Sequence, residues 1–262
     1  MNEIRNAAEF AQALQRQLDE QLTNYPVEVF ETLDSTNLYA KSLARKGADR
    51  ALVVALEQTA GRGRMDRSFY SPSKTGVYFS LLHAVDIPLS DVVSVTAAAS
   101  VAVMRAIRSV CGIQTEIKWV NDLYYRGRKV CGILAEAVRD PDVPTQYAII
   151  IGVGINLRHA EFPASLAEVA GSLDADDADP CDLITVAVDE LSTFLDDPSG
   201  REWLDDYRLH SCVIGKEIKW TCGDTVAYGK AIDVDADGGL IVLTEAGERI
   251  VLSSGEISVR VR

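Results

Sequence analysis

Glu57-Gln58-Thr59-Ala60-Gly61-Arg62-Gly63-Arg64-Met65-Asp66-Arg67-Ser68-Phe69-Tyr70-Ser71-Pro72 is the stretch around which the rest of the chain is organised. Composition makes it a loop: two glycines free the backbone, and three arginines within six residues have no apolar neighbours at helical spacing to anchor them. Gly61 and Gly63 let backbone N–H groups approach an anion, and Arg62, Arg64 and Arg67 add fork-shaped charged donors. Phosphate or carboxylate suits such a loop, although a lone Gly-Arg-Gly-Arg also reads as a solvated basic turn. The flanks embed it in a sheet. Residues 51–56 form a continuous apolar strand that leads into the loop, and 76–82 form the strand that leaves it, so the loop joins two core strands.

Working outward, 27–30 reads as a strand, and Asp34-Ser35-Thr36-Asn37 offers several N-caps for a helix running to about Lys46 and ending at Gly47. Capping is the usual fate of such a cluster. Ahead of it, residues 2–22 set Ile4, Ala7, Ala8, Ala11, Leu14, Leu18 and Leu22 on one helical face. Beyond the second core strand, Ser90 caps a helix whose Val92, Val93, Val95, Ala99, Val103, Ile107 and Val110 are apolar on nearly all sides until Gly112 ends it, the pattern of a buried central helix. Three strands follow: one ending at Lys118-Trp119, one over 129–136 and one over 147–156, with polar residues concentrated at their ends. Residues 165–208 read as helical, with Asp182 capping one helix and a second around Trp203–Leu209. From Gly215 the apolar period becomes two, and the turns Asp235–Gly239 and Glu245–Glu248 predict an antiparallel barrel of about five strands. The expected division is 1–212 and 213–262, with the linker at 211–214.

The formal charge of −13 is not spread evenly. Between Glu161 and Asp206 fourteen acids face the single base Arg201, so the rest of the chain is neutral and the basic loop lies in a neutral body. Cys111, Cys131, Cys181, Cys212 and Cys222 are odd in number and share no C-x-x-C spacing, which predicts reduced structural thiols; His83, His159 and His210 are too scattered for a metal site. Without a membrane-length apolar run or a signal-peptide core, the expectation is a cytoplasmic protein with no membrane partner.

The chain offers no Ser-His-Asp set, no GxxxxGK[ST] and no dinucleotide fingerprint. It offers an Arg/Gly anion loop, Lys118-Trp119-Val120-Asn121-Asp122 at a strand end, and Lys129 before another strand. Cations, amides and backbone donors without a nucleophile suit phosphate chemistry run by positioning and charge stabilisation, such as nucleotidyl transfer to a carboxylate.

Five motifs then coincide in order, spacing and type. Ser35-Thr36-Asn37, Gln58-Thr59-Ala60-Gly61-Arg62-Gly63-Arg64, Lys118-Trp119-Val120-Asn121-Asp122, Arg128-Lys129-Val130-Cys131-Gly132-Ile133-Leu134-Ala135-Glu136 and Gly152-Val153-Gly154-Ile155-Asn156 resemble those of the biotin-protein ligases, in a short form without an amino-terminal DNA-binding domain. Ser254–Arg260 resembles the family's closing strand, and the resemblance covers Val27 to the end.

It implies an α+β fold, a mixed central β-sheet with helices on one side followed by an SH3-like barrel, with 1–212 catalytic. It also implies two half-reactions. Biotin's carboxylate attacks the α-phosphate of ATP, accompanied by Mg2+, to give biotinyl-5'-AMP; a lysine of a biotin carboxyl carrier protein then takes the biotinyl group. By the same resemblance Ser35, Thr36, Asn37 and Gln58 hydrogen-bond the fused ring, whose ureido group needs neutral donors and acceptors. Gly61, Arg62, Gly63, Arg64, Lys129, Gly132 and Gly152 complete the biotin site. Arg64 and Lys129 are the catalytic pair, and Arg64, Arg67, Phe69, Lys118, Asn121, Asp122 and Asn156 serve the nucleotide.

Two departures stand out: Asp66 replaces a glycine common in the family, and Val120 replaces a proline. Asp66 is expected to point outward or pair with a base such as Arg67. The loop is expected to be mobile without ligand, its arginines lacking internal partners. Lys118 also reads as a plain strand-end lysine, Cys131 as an inert buried thiol, and Trp119 and Trp220 as packing residues, while Phe69 and Tyr70 are placed to close over a ligand. Two other functions compete. Against a lipoate or octanoyl ligase of the same fold class stand the Gly-Arg-Gly-Arg loop, which argues for biotin, and the absence of the glycine triplet associated with lipoate ligases. A DNA-binding repressor needs a winged domain of at least about sixty residues with a basic recognition helix, where a single helix precedes Val27. Exposed strand edges leave a homodimer open.

Overall fold

The two strands that flank the Gly/Arg loop are β2 (Arg50–Ala55) and β3 (Gly76–Val85), and they pair antiparallel with Arg50 opposite His83 and Ala55 opposite Tyr78. The computed structural model describes residues 6–21, 24–65, 67–85, 92–139, 147–197, 200–222, 225–253 and 260–261. β1 (Val27–Phe30) adds to β2 in parallel; on the other side follow β7 (Tyr147–Asn156), β6 (Arg128–Arg139), β5 (Asp122–Tyr125) and β4 (Glu116–Lys118), all antiparallel. A seven-stranded mixed sheet results.

Because successive strand residues point to opposite faces, the alternation in β2 separates two layers. Leu52 and Val54 join Phe79, Leu81, Ile133, Ile151 and Val153 in the large core, together with α1 (Ala7–Glu20), α3 (Val92–Cys111) and α4 (Pro180–Asp196). Ala51 and Val53 join Leu82, Ile150 and Ala40 of α2 (Thr36–Ala44) on the other face. The expectation of helices on one side is thus corrected: α2 takes the opposite face, and it leaves the carboxyl-terminal half of β7 beside it uncovered. α3 is long and apolar enough to cross a membrane by composition, but it is mostly buried in the fold.

Several sequence expectations shift. α1 buries Phe10, Leu14 and Leu18, while Ala8 is exposed; Ile4 and Leu22 lie outside the described residues, as does Ser90. β4 stops at Lys118, and a strand the periodicity missed, β5, follows the turn through Trp119 and Val120. Residues 165–178 are turns and irregular chain rather than helix, and α4 is capped by Asp179, which accepts from Cys181 N at 2.8 Å, with Pro180 in the first turn, not by Asp182. Proline there loses no helical hydrogen bond.

After α5 (Trp203–His210), β8 (Glu217–Cys222), β9 (Thr225–Val234), β10 (Leu240–Thr244), β11 (Arg249–Leu252) and β12 (Arg260–Val261) form the antiparallel SH3-like sheet in the order β11-β10-β9-β8-β12. Its β9–β10 turn, with Gly238 at φ +85°, lies against Ala97 of α3. Trp119 Nε1 donates to Gly238 O at 2.8 Å, and Arg208 reaches Asp233 at 2.8 Å and Val234 O at 2.7 Å.

One polar cluster lies inside this frame. His83 of β3 is 3% exposed; its Nδ1 is 2.6 Å from Tyr25 Oη, and its Nε2 is 3.3 Å from Arg50 and 3.4 Å from Asp196. Burial, and then the charge of Arg50, pull its pKa from 6.5 down to about 4 against a smaller opposing pull from Asp196. The unfolded chain therefore takes up this proton first. Stability is full above pH 6.5 and falls as the pH drops toward 4, with a ceiling for this one group on the order of 3 kcal/mol. Urea unfolding at pH 7 and pH 4.5 should show His83→Gln losing much less stability on acidification than the parent; equal losses would rule His83 out as the source.

Candidate active site

The uncovered part of the sheet face is floored by glycine. Gly152 and Gly154 alternate with core residues along β7, Gly154 lies opposite Gly132 of β6, and Gly152 lies opposite Ser80 of β3. A Cβ at Gly152 would run into Asn37 Oδ1, one at Gly154 would come within 2.5 Å of the Phe69 ring, and one at Gly132 would crowd Phe69 and Lys129 at 3.1 Å. Omitting three side chains leaves a cavity of about 360 Å³, a size suited to a small ligand.

One end of it is neutral. Ser35 occupies the N-cap of α2 but makes no capping bond, so its hydroxyl is not consumed by the helix. Thr36 N and Oγ1 both reach Gln58 Oε1, at 2.9 and 3.2 Å, and Gln58 Nε2 donates to Ser71 Oγ at 3.0 Å. Beneath them Ser80 Oγ lies 2.7 Å from Thr36 Oγ1 and 2.5 Å from Asn37 Oδ1. Ser35, Thr36 and Asn37 are almost wholly buried, which makes these amides and hydroxyls costly to leave unpaired when the cavity is filled.

The other end is cationic. Arg64 reaches in from the loop and donates to Asn121 Oδ1 at 3.3 Å, while Asn121 is clamped to β6 by its Nδ2 and backbone oxygen at Ile133. Arg64 Nη2 is buried and makes no hydrogen bond among the described residues, and burial pulls the guanidinium pKa down, partly countered by Asp122. A buried guanidinium with donors to spare suits an anion. Lys129 Nζ pairs with Asp122 at 2.6 Å and stands 5.9 Å from the centre of the Phe69 ring. A β-bulge shifts the β5–β6 register next to Lys129, and its backbone also bonds to the 157–178 segment, through Lys129 N to Val169 O and Gly171 N to Lys129 O, each 2.9 Å. Bulges re-aim side chains, and this one turns Lys129 toward the cavity. Lys118 Nζ meets Tyr124 Oη at 3.2 Å, and Asn156 Nδ2 donates to Gly171 O at 2.8 Å.

Every residue singled out from the sequence lines this cavity except Gly61, which is buried with Phe69 O 2.5 Å from where its Cβ would be and so shapes the loop. The expectation of arginines without internal partners needs correcting for Arg64, which Asn121 holds. The loop also closes on itself through Gly63 N to Arg67 O and Phe69 N to Gly61 O. Arg62 and Arg67 stay exposed, and Asp66 lies outside the described residues. Phe69 does more than cover a ligand, since its ring rests on Gly132 and Gly154. Cys131 is fully buried and burial pushes its thiol pKa far up, which suits an inert residue. Trp119 packs as expected and also lines the cavity.

Sequence reasoning missed Ser80, Glu136 and the apolar rim of Phe162, Leu166 and Val169. Ser80 carried a readable signal, a hydroxyl in an otherwise apolar run; the rim carried none, since its segment has no period. Among the described residues no cluster of His, Cys, Asp or Glu could hold a metal ion, and Asp122 is the one carboxylate on the cavity wall.

Comparison with known proteins bears on this geometry. The Biotin/lipoate A/B protein ligase family matches residues 29–156, and the Biotin protein ligase C terminal domain matches 213–260. The bifunctional ligase/repressor of Bacillus subtilis is 34% identical over 237 residues, 86% of this chain and 71% of that protein. The biotin--[acetyl-CoA-carboxylase] ligase of Mycobacterium tuberculosis is 30% identical over 250 residues, 88% of each chain. The structure of the Aquifex aeolicus biotin protein ligase in complex with biotin and ATP superposes with a TM-score of 0.74 at 26% identity, covering 90% of this chain and 99% of that one. With 29–156 and 213–260 matched in order and relatives aligned over most of their length, the chain belongs to the biotin protein ligase family.

Proposed function

We infer that this chain is an ATP-dependent biotin--protein ligase, which forms biotinyl-5'-AMP and passes the biotinyl group to a lysine of a biotin carboxyl carrier protein. The observation that carries the reading is the division of one cavity into a neutral, buried amide and hydroxyl end and a cationic end. The reaction joins a neutral bicyclic urea that ends in a carboxylate to a polyanion, and the two ends match those two chemistries.

Ser35, Thr36, Asn37 and Gln58 hold the fused ring over Gly152 and Gly132, and Arg62, Gly63 and Arg64 close over the carboxylate. Arg67, Phe69, Lys118, Asn121, Asp122 and Asn156 flank the nucleotide, whose phosphates bring Mg2+ as part of the substrate. Charge grows on the α-phosphate and carboxyl oxygens during attack, and Lys129, fixed in place by β6, stabilises it with little reorganisation once it exchanges Asp122 for the anion. In the second step the adenylate is the leaving group and the carrier lysine the nucleophile, so the protein's part is again positioning.

The catalytic part spans 1–212 and the barrel 213–262, a boundary supported by the gap between α5 and β8. β1 and β4 are the outer strands of the sheet, so a homodimer built by strand addition would use one of them. A cytoplasmic setting fits the ATP requirement and the thiols of Cys111, Cys131, Cys181 and Cys212, none of which is in a disulfide. DNA and membranes have no part in the reading; α1 carries Arg16 against Glu9, Asp19 and Glu20, the wrong sign for a recognition helix.

Mass spectrometry of a carrier domain incubated with the chain, Mg-ATP and either biotin or lipoate tests the whole reading. A mass gain with lipoate alone would overturn it. Lys129→Ala should abolish most pyrophosphate release from biotin and ATP in the absence of carrier, and Lys129→Arg should stay well below the parent because its reach and geometry differ. Release at the parental rate would move the role to Lys118. Arg64→Ala gives up one long side-chain hydrogen bond, to Asn121, so its melting temperature should hold within a few degrees while kcat/KM for biotin drops about ten- to a hundredfold, the worth of one charge-assisted contact. Parental transfer by this variant would remove Arg64 from the site.

A further inference from the structure

The carboxamide of Asn37 is held from several sides. Nδ2 donates to Glu136 Oε2 at 2.9 Å and to Leu134 O at 3.3 Å, and Oδ1 is 2.5 Å from Ser80 Oγ. A flipped amide would set its oxygen against a carboxylate and a carbonyl, neither of which can donate, so the surroundings decide the orientation. Glu136 in turn pairs with Lys41 of α2 at 2.5 Å, with side chains only 21% and 17% exposed. Lys41 and Glu136 therefore form a link from the surface of α2 to the cavity. The link ends with Oδ1 over Gly152, where it is the atom a Cβ there would strike first. A carbonyl oxygen accepts two hydrogen bonds; Ser80 supplies one and the second position is left for a ligand.

We propose that Glu136 and Lys41, neither of which lines the cavity, are positioning residues that lock Asn37 as an acceptor and so select a ligand with an N–H donor at that place. The inference rests on the ligase reading above and adds how the cavity distinguishes its acid substrate. A cyclic urea supplies the N–H. A lipoyl or octanoyl chain does not, and would leave Oδ1 buried with an unused lone pair, a penalty that discriminates more sharply than shape. Without the carboxylate, the amide can turn its NH2 toward the cavity and lose the distinction.

Calorimetry on the full chain tests this. Glu136→Gln keeps the size and removes the fixed polarity; its affinity for biotin should fall about tenfold, the worth of one buried hydrogen bond. The KM for biotin should rise in step, with kcat at saturating biotin within twofold and ATP affinity unchanged. Adding Asn37→Asp to Glu136→Gln should restore part of the affinity, because the introduced amide can donate to the introduced carboxylate and an acceptor again faces the cavity, while the second carboxylate oxygen then opposes Leu134 O. A merely structural ion pair would lower the melting temperature without the KM-against-kcat split and without this rescue. Should Glu136→Gln fail to fold, Lys41→Met, on the outer side of the link, should weaken biotin in the same direction. If the parent chain binds biotin and these variants match it within twofold, the inference fails alone; if the parent gives no heat with biotin, the ligase reading fails and the inference with it.

Discussion

A cavity on the face of a β-sheet requires side chains to be missing from positions that neighbour one another across strands, and Gly132, Gly152 and Gly154 meet that requirement. Each glycine inside a strand costs roughly 0.5–1 kcal/mol in backbone entropy and contributes no packing of its own. The structure offsets the loss on both sides of the same strands: β3 and β7 pair along ten residues each, and on their reverse faces Phe79, Leu81, Ile151 and Val153 enter the core shared with α1, α3 and α4. The site is open because the layer behind it is dense. Asn37 and Phe69 lean directly on the bare backbone, so both the neutral wall and the loop are located by the same absence of Cβ atoms.

The cationic end is partly compensated from within. Lys129 has one anionic neighbour, Asp122, and Arg64 has one neutral partner, Asn121, which leaves each with bonding capacity to exchange. A fully neutralised pair would gain little from an incoming phosphate, and a bare one would be expensive to keep buried. The sheet fixes both partners, because Asp122 and Asn121 lie at the start of β5 and bond across to Gly132 and Ile133.

Much of this was legible in the chain. The Gly/Arg loop stood out because glycine and arginine together have few uses in a core, and β2, β3, β6 and β7 were clear as long apolar runs. Barrel strands announced themselves by alternation between turn glycines, of which Gly238 and Gly247 do hold positive φ. What escaped notice was short or irregular. β5 has four residues, two of them tyrosine, and too few repeats to reveal a period. The start of α4 was misplaced because Asp179 and Asp182 are both acceptable caps, and the proline that favours Asp179 was passed over. Glu136 could be quoted in a motif, but its bond to Asn37 spans 99 residues, and a contact of that range depends on the register of β6 and β7 rather than on local pattern.

Trp119 joins two parts of this account. Its indole N–H is tied to Gly238 of the barrel, and the residue lines the cavity together with Asn121. The chain has three tryptophans, all buried, and Trp203 and Trp220 stand away from the cavity lining. A ligand in the cavity would therefore meet Trp119 and neither of the other two indoles. Trp119 is thus the one indole of the three that meets both the cavity and the barrel turn.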